Sequence, residues 1–388
     1  MFILLDKPHI SEFLINTIKK NNISAIDTGK VLINGEIKSI NKSLIIDQFK
    51  KDPKSKIYTT SENAISWIAE NLSFTELPQK INLFKDKVVF RDLTKEMYPK
   101  LFYKEVAFED IESMDISDLP KPFIIKPSVG FFSLGVHKVF NQSSWDTVKK
   151  EITENIDEIR TLYPEVVLKT KKFIIEEEIK GVEYAIDAYY DEVGKPVILG
   201  IMQHYFASKG DVSDRVYITS TEVIKMNFKS FEEFLSEIGK KVGLINFPVH
   251  VEIRIDNKGN LVPIEVNPVR FGGWCTSAEL ANYAFNVNSY ENYIFGRKPE
   301  WNEIIETNST DIFSLIILDN STGFEGKDIE SFNFDQLLSE FKNPLELRKF
   351  NHKEYPIFGF LFVRIEPDEH NKLDKILKSD LKEYITLC

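Results

Sequence analysis

Apolar positions in the first 84 residues alternate between the spacing of a strand and the spacing of a helix. Residues 2–5 are a short apolar run, which predicts a strand. The next apolar positions fall on one face of a helix, at Ile10, Phe13, Leu14 and Ile18. The same order repeats at 58–72, where Ser61 is a candidate N-cap. Because strands that alternate with helices favour a parallel sheet covered by helices, we predict a small α/β domain over 1–84.

The pattern between 85 and 305 is less regular and predicts a second, larger domain of mixed strands and helices. Apolar runs at 123–127 and 184–190 indicate strands, and amphipathic segments at 145–159 and 231–242 indicate helices. After residue 305, two further apolar runs predict strands at 312–318 and 357–363. We therefore expect an α/β (α+β) protein with domains at 1–84, 85–305 and 306–388.

Composition narrows the class of protein. The chain has 388 residues, of which 43% are hydrophobic and 28% are charged, so disorder is excluded as its main state. A formal net charge of −11 disfavours binding to nucleic acid through the overall field. Cys275 and Cys388 are too few for a disulfide framework. Residues 1–6 lack the basic lead-in of a signal peptide, and no run approaches the roughly 20 apolar residues that cross a bilayer. We predict a cytoplasmic protein with no membrane partner.

The first candidate for chemistry is a β-hairpin at 249–267. Alternation places Glu252 on the same strand face as His250, and residues 257–260 predict a turn. With a four-residue loop, Glu252 lies opposite Glu265 on the returning strand, with Cβ atoms about 5 Å apart. Two such carboxylates repel each other unless a cation lies between them, and together with the amide of Asn267 they form the oxygen donors that suit Mg²⁺. The alternative is an exposed hairpin with polar residues on its wet side.

The second candidate is Lys126, which ends the apolar strand at 123–127. A loop with serine and glycine residues follows, at Ser128, Gly130, Ser133 and Gly135. Such a loop can approach phosphates through its backbone N–H groups while the lysine supplies a charge. The alternative is a solvated lysine, and neither common Gly-rich phosphate-binding motif occurs in the chain.

The third candidate is a run of glutamates at 176–178, followed by Glu183. A glutamate run alone is typical of a solvated face. The three segments together, in this order, resemble the ATP-grasp superfamily in its amide-forming ligases. That family has a lysine strand with a flexible loop, a hinge with two glutamates separated as Glu176 and Glu183 are here, and a metal-binding Glu-x-Asn strand. The segment EVNPVRFGG at 265–273 resembles the family signature E-x-N-P-R-x-G-G.

The resemblance covers about 85–305 and implies an ATP-grasp fold. An N-terminal α/β domain precedes it at 1–84, a mobile lid subdomain lies at about 121–180, and 306–388 is a C-terminal extension. It implies that Lys87 and Lys126 bind the α- and β-phosphates of ATP and that Glu183 binds the ribose. It also implies that Glu176 and the backbone around Glu177 and Ile179 bind the adenine edge.

The same resemblance implies roles for metal and phosphate ligands. Glu252, Glu265 and Asn267 are expected to hold two Mg²⁺ ions, with Mn²⁺ as a substitute. The loop at 128–135 is expected to close over the phosphates. The segment at 204–215 resembles a second mobile loop of the family, from which Lys209 or Arg215 would reach the γ-phosphate; the alternative is an ordinary surface loop.

Substrate recognition is expected near Arg270, with Lys126 and Arg270 as the catalytic residues. Arg270 would clamp a carboxylate or the acyl phosphate beside Gly272 and Gly273, and the alternative is a structural ion pair. His204 is a candidate to assist proton removal from an amine, although a lone histidine is more often a packed residue. Arg270 stands three residues after Asn267 and not two, so Val269 is an insertion relative to the family.

The resemblance implies an ATP-dependent carboxylate–amine ligase that acts on small molecules through an acyl phosphate. The alternatives within the superfamily are a carboxylate–thiol ligase and a carboxylase. A catalytically silent nucleotide-binding module and an unrelated α/β binding protein are alternatives from other classes. A homodimer is one option for its assembly.

Overall fold

The computed structural model describes residues 1–29, 37, 39–129, 135–154, 172–208, 214–308 and 311–388. The helices are α1 (Glu12–Lys20), α2 (Lys42–Lys51), α3 (Ile65–Asn71), α4 (Leu77–Lys85), α5 (Lys87–Thr94), α6 (Gln142–Glu154), α7 (Thr221–Val242), α8 (Thr276–Phe285), α9 (Ser289–Phe295), α10 (Trp301–Thr307), α11 (Phe334–Leu338) and α12 (His370–Lys378). Among the described residues, no helix combines the length and the apolar character needed to cross a bilayer.

The strands run through the whole chain and alternate with these helices. They are β1 (Phe2–Leu5), β2 (Ser24–Asp27), β3 (Ile57–Thr59), β4 (Tyr103–Ala107), β5 (Phe123–Pro127), β6 (His137–Val139), β7 (Lys172–Glu177), β8 (Val182–Tyr190), β9 (Pro196–Tyr205), β10 (Val216–Thr219), β11 (Phe247–Ile255), β12 (Leu261–Pro268), β13 (Ile312–Asp319), β14 (Ile329–Phe332), β15 (Asn343–Lys349), β16 (Ile357–Ile365) and β17 (Ile385–Leu387).

Two compact units share these elements. Unit 1 consists of Met1–Ile10, Ile23–Gly181 and Val251–Arg270. Unit 2 consists of Ser11–Asn22, Val182–His250 and Phe271–Cys388. The domain boundaries predicted near 84 and 305 follow a different division of the chain and stay predictions.

The N-terminal sheet of unit 1 is parallel, in the order β2-β1-β3. Ile3, Leu4 and Leu5 of β1 are fully buried, which explains the continuous apolar run that predicted this strand. The parallel arrangement expected for this region is confirmed. Ser61 is not the cap of α3: it precedes a 3₁₀ turn, Glu62–Ala64, and α3 begins at Ile65.

The second sheet of unit 1 is antiparallel, in the order β4-β7-β5-β6. Helix α6 packs on it through Trp145, whose ring lies edge-on to Phe123 with centroids 6.0 Å apart. The predicted helix face at 145–159 is therefore confirmed as far as Glu154, and its remaining positions lie outside the described residues. This sheet carries the lysine strand and the glutamate strand side by side.

Unit 2 is built on an antiparallel sheet with the order β8-β9-β10-β13-β16-β15. Residues 247–250 of β11 belong to the same unit, and β11 flanks β8. Helix α7 is capped at its N-terminus by Ser220, whose hydroxyl accepts from the Val223 amide, and at its C-terminus by Gly243, which has a positive φ of 69°. Its predicted apolar stripe, which includes Phe231 and Leu235, is buried.

The C-terminal residues extend this sheet. The strands predicted at 312–318 and 357–363 are confirmed as β13 and β16, which pair antiparallel with Ile316 opposite Leu361. Both residues lie in a core that also receives Leu373 and Ile376 of α12. The C-terminal segment is therefore an integral part of unit 2.

Candidate functional site

Eight charged side chains from distant parts of the sequence lie together in unit 1, and we call them the charged cluster. Its members are the cations Lys85, Lys87, Arg91, Lys126 and Arg270 and the carboxylates Glu62, Glu176 and Glu265. The most exposed is Glu265, with 21% of its side chain accessible to solvent. The cluster has two more positive than negative charges. Because charges removed from water require counter-charges, this excess favours an anionic ligand.

Glu176 joins two of these cations. In the pairing of β5 with β7, Lys126 lies opposite Ile174 and Glu176 lies opposite Ile124, so Lys126 and Glu176 are diagonal neighbours. Lys126 Nζ is 2.9 Å from Glu176 Oε1, and Arg91 donates to Glu176 Oε2 from Nε at 2.9 Å and from Nη2 at 2.6 Å. Burial alone would raise the pKa of Glu176, but Arg91 and Lys126 outweigh it and lower this pKa to about 2.

Arg91 is a candidate that sequence reasoning missed. It is 1% exposed, and besides Glu176 it donates to the carbonyls of Pro263 at 2.8 Å and Ile264 at 3.1 Å. Arg91 therefore ties β7 to β12 directly before Glu265. The signal that could have found it is its position one helical turn after Lys87 on α5, because side chains four residues apart share one face of a helix.

Lys87 is held at the first residue of α5. The helix is capped by Asp86, whose carboxylate accepts from the Val88 amide at 2.9 Å, and the Lys87 amide donates to the Ser128 carbonyl at 2.7 Å. Lys87 Nζ lies 3.1 Å from Glu265 Oε2. Burial alone would lower the pKa of Lys87, but Glu265 outweighs it and the pKa is raised. Burial would likewise raise the pKa of Glu265, but Lys87 and Lys126 hold it below its usual value.

The candidate metal ligands lie on β11 and β12. The side chain of Asn267 is buried and donates from Nδ2 to Glu265 Oε1 at 3.0 Å, and Glu252 is half-buried. The Asp256 amide donates to the Asn260 carbonyl at 3.0 Å, so the hairpin closes over 257–259, one residue earlier than predicted. The opposition of Glu252 to Glu265 assumes a four-residue loop, so the shorter loop does not support it and it stays a prediction. Carboxylate and amide oxygens are the donors that Mg²⁺ prefers, so these residues fit that ion.

Arg270, the predicted clamp, forms an ion pair with Glu62 of the N-terminal region. Its Nη2 lies 3.1 Å from Glu62 Oε1, and Lys85 also pairs with Glu62. The preceding residue, Val269, has a positive φ of 56°, an unusual conformation for a β-branched residue. Its carbonyl accepts from the Thr59 amide at 2.8 Å, which holds this strained turn in place. The insertion inferred at Val269 therefore coincides with an irregular backbone.

The predicted adenine-binding backbone has partners within unit 1. The Glu177 amide donates to the Phe102 carbonyl at 3.1 Å, and its carboxylate accepts from the Phe102 amide at 2.8 Å. The Ile179 carbonyl accepts from Arg254 Nη1 at 2.6 Å. An adenine base bound at this position would replace some of these hydrogen bonds. The adenine-binding role of these residues stays a prediction.

Glu183 and His204 are brought together in unit 2. They lie opposite each other on β8 and β9, and His204 Nδ1 is 3.0 Å from Glu183 Oε1. The His204 ring also stacks on Tyr217, with centroids 4.3 Å apart and an interplanar angle of 17°. This arrangement makes His204 a packed residue that orients Glu183. It does not support the proton-removal role considered from the sequence.

Asp187 is a second residue that the sequence did not single out. Its side chain is buried, with Oδ1 2.7 Å from His250 Nδ1 and 3.0 Å from the Gly272 amide, which donates to it. Ser277 donates its hydroxyl to Oδ2. The Gly272 amide, expected at the substrate, is therefore bound to Asp187. A Cβ on Gly272 would lie 2.3 Å from Ser277 Oγ, which explains the glycine. Gly273 is half-buried, and its carbonyl accepts from Thr276 Oγ1 at 2.7 Å.

Arg215 contradicts its predicted role at the γ-phosphate. Its Nε and Nη2 donate to the two oxygens of Asp319 at 2.7 and 2.8 Å, and Nη2 also donates to Ser321 Oγ at 2.6 Å. Nη1 donates to the carbonyls of Ile376, at 3.2 Å, and Ser379. All five N–H donors of the guanidinium are therefore engaged inside unit 2.

The predicted phosphate loop is described only at its ends. Ser128 is fully buried, and among the described residues its Oγ has no hydrogen-bond partner. Gly135 has a positive φ of 71°, a conformation that glycine adopts without strain. Gly130, Ser133 and, in the second predicted loop, Lys209 lie outside the described residues.

Comparisons with known proteins identify the class. Residues 119–278 match the model of a family described as an ATP-grasp domain. A comparison with curated proteins finds no significant match. Residues 119–278 are therefore similar to an ATP-grasp domain, and the resemblance drawn from the three sequence segments is confirmed.

Solved structures show the same fold over the whole chain. The L-amino acid ligase from Bacillus licheniformis is 15% identical, with a TM-score of 0.69 and coverage of 100% of this chain and 98% of that one. The N5-carboxyaminoimidazole ribonucleotide synthetase from Thermotoga maritima is 14% identical, with a TM-score of 0.63 and coverage of 100% and 99%.

A third similar structure is the biotin carboxylase domain dimer of the 2-oxoglutarate carboxylase from Hydrogenobacter thermophilus, in complex with MgADP, ADP and bicarbonate. It is 14% identical, with a TM-score of 0.58 and coverage of 94% and 86%. The three proteins catalyse different reactions with one architecture. The similarity therefore establishes the ATP-grasp fold, and the substrates have to be inferred from the site.

Proposed function

We propose that this protein is an ATP-dependent ligase that joins a small carboxylate to an amine through an acyl phosphate and releases ADP and phosphate. The observation that carries the proposal is the charged cluster. Its excess positive charge complements the net negative charge of a magnesium–nucleotide complex, and Asn267 donates to Glu265, the carboxylate of the cluster that pairs with Lys87. The buried hydroxyl of Ser128, beside the Lys87 amide, offers a further donor for a phosphate oxygen.

The residues of the cluster meet the needs of phosphoryl transfer. Lys87 and Lys126 bind the α- and β-phosphates, and Glu252, Glu265 and Asn267 would hold two Mg²⁺ ions, for which Mn²⁺ can substitute. When bound, the metal would supply positive charge that neutralises the phosphates during transfer. Transfer brings an anionic carboxylate against an anionic phosphate, so positioning and charge neutralisation supply most of the catalysis.

The reaction proceeds in two steps. A carboxylate oxygen of the substrate attacks the γ-phosphorus, the bond to the β-phosphate oxygen breaks, and ADP leaves. The amine nitrogen then attacks the acyl carbon, phosphate leaves with the bonding electrons, and the amine proton passes to solvent. Arg270, which Glu62 holds in position, stabilises the substrate carboxylate and the acyl phosphate.

A carboxylase is the second candidate, and the similarity to a biotin carboxylase domain supports it. It would activate bicarbonate in place of an organic carboxylate. A carboxylate–thiol ligase would use the same first step. A silent nucleotide-binding module is disfavoured because the cluster keeps Lys87, Lys126, Arg270 and Glu265, with Asn267 bonded to Glu265. A homodimer is consistent with the dimeric carboxylase domain, and a cytoplasmic location stays a prediction.

The test is ADP release from ATP with a panel of amino acids offered singly and in pairs, and with bicarbonate as a separate arm. ADP release that depends on two amino acids supports the amine ligase, and release that depends on bicarbonate supports the carboxylase. Glu265→Gln removes a metal ligand and half of an ion pair, and we expect it to lower turnover by about 100-fold or more. Unchanged turnover in this variant would remove the metal assignment.

The matched control is Glu105→Gln. Glu105 is also in unit 1, but it is 41% exposed and pairs with the exposed Lys172. The same chemical change there should leave turnover within a factor of about two, because surface ion pairs contribute little.

A further inference from the structure

Both carboxylate oxygens of Glu265, the central candidate metal ligand, have donors within the protein. Lys87 Nζ lies 3.1 Å from Oε2, and Asn267 Nδ2 donates to Oε1 at 3.0 Å. A divalent ion that binds Glu265 therefore competes with a cation that is already there.

The surroundings of Lys87 define what can release it. Its backbone is fixed by the start of α5 and by the hydrogen bond to Ser128, so only the flexible side chain can move. The carboxylates of Glu176 and Glu62 already pair with Lys126, Arg91, Lys85 and Arg270. An incoming phosphate supplies Lys87 with a new anionic partner outside this set.

We propose that Lys87 is the resident counter-ion of Glu265, exchanged for metal only when nucleotide phosphates take over the lysine, so that metal binding depends on nucleotide. This inference rests on the proposed function, because it assumes that the charged cluster binds ATP and a divalent ion. The dependence is a coupling between two ligands, and such couplings are reciprocal: metal strengthens nucleotide binding by the same factor.

The order of events follows from charge. Metal alone would have to displace an ammonium group and would then lie among Lys126, Lys85 and the displaced Lys87. Nucleotide alone would bind Lys87 and leave the Glu265 carboxylate facing phosphate oxygens of the same sign. When both bind, each cation has an anionic partner. We expect a coupling of at least about tenfold, within the usual range of about 5 to 150-fold.

The experiment measures Mn²⁺ binding by the loss of the free-ion signal in electron paramagnetic resonance, with and without β,γ-imido-ATP. In the wild type, Mn²⁺ alone should bind weakly, and the analogue should tighten it by about tenfold or more. In Lys87→Met, Mn²⁺ alone should bind about tenfold more tightly than in the wild type. The analogue itself should bind this variant more weakly, so one substitution moves the two affinities in opposite directions.

Two variants control for charge and geometry. Lys87→Arg keeps a cation at Glu265 and should keep the coupling of the wild type. Lys85→Met removes the same charge from the same cluster, but its direct partner is Glu62, so the coupling should persist. If Lys87→Met does not fold by circular dichroism, Lys87→Gln replaces it, since it is also uncharged and can donate to Glu265.

The proposal is overturned if Mn²⁺ alone binds the uncharged Lys87 variant no more tightly than the wild type, or if the analogue still tightens Mn²⁺ to the wild-type extent. Failure of the proposed function has a different appearance: the wild type then binds neither the analogue nor Mn²⁺ in its presence.

Discussion

Arg215 is a residue for which the sequence and the structure indicate different roles. As a phosphate ligand, it would be dispensable for folding and necessary for nucleotide binding. In the structure it is 5% exposed and all five of its donors are engaged, with Asp319, Ser321 and two carbonyls near the C-terminus. The perturbation is Arg215→Met, which keeps much of the apolar stem and removes every one of these bonds.

The expected loss of unfolding free energy depends on the hydrogen-bond acceptors that lose Arg215 as a partner. Breaking a buried ion pair by removing one partner costs about 3–5 kcal/mol. Asp319 is 34% exposed, so water replaces part of what it loses, and the lower end applies. We therefore expect a loss of about 3 kcal/mol. Because unit 2 has about 200 residues, this corresponds to a fall in its Tm of about 6–12 °C.

The assay is differential scanning calorimetry of the two proteins, combined with the affinity for an ATP analogue at a temperature where both are folded. The matched control is Arg364→Met in the same unit, where the arginine is 41% exposed and its nearest charged partner, Asp311, is 3.7 Å away. That variant should lose less than about 1 kcal/mol. An unchanged Tm for Arg215→Met together with a tenfold or greater loss of affinity would refute the structural role and restore the phosphate role.

The remaining predictions concern stability. The pKa of Glu176 is about 2, against an ordinary 4.5. This shift stabilises the folded protein by about 3 kcal/mol above pH 4.5, and the stabilisation is lost as the pH falls towards 2. The gap in unfolding free energy between the wild type and Glu176→Gln should therefore narrow by about 1 kcal/mol from pH 7 to pH 3.5 in urea titrations; a constant gap contradicts this. Gly272→Ala overpacks against Ser277 and should cost about 1–3 kcal/mol, part of which Gly272→Ala/Ser277→Gly recovers; a fully stable single variant contradicts the close approach.

Local pattern predicted well the strands that carry the candidate site residues. The lysine strand, the hinge strand and the EVN strand are each a short apolar run with one or two charged residues at a defined position, and all three are present as β5, β7 and β12. The same pattern predicted β13 and β16 but could not say that they continue the sheet of unit 2. Strand pairing depends on partners elsewhere in the chain.

Contacts between distant residues account for what the sequence left out. Arg91 and Glu176 are 85 residues apart, Arg215 and Asp319 are 104 apart, and Arg270 and Glu62 are 208 apart. Each pair is defined by geometry that no local spacing encodes. The loop of the 249–267 hairpin was mispredicted for a related reason, since Gly259, with a φ of 82°, allows a tighter turn than the four-residue loop expected.

The strand order of unit 2 has a consequence for anyone who shortens this protein. β15 is the outermost strand and carries Pro344, Glu346 and Lys349, residues that discourage other chains from adding to its open side. Removing the segment after residue 310 would make the apolar β10 outermost, with a row of unsatisfied amides and carbonyls along it. A form truncated there should therefore self-associate into insoluble aggregates, and a chain that keeps residues 311–388 is the better starting material for biochemistry.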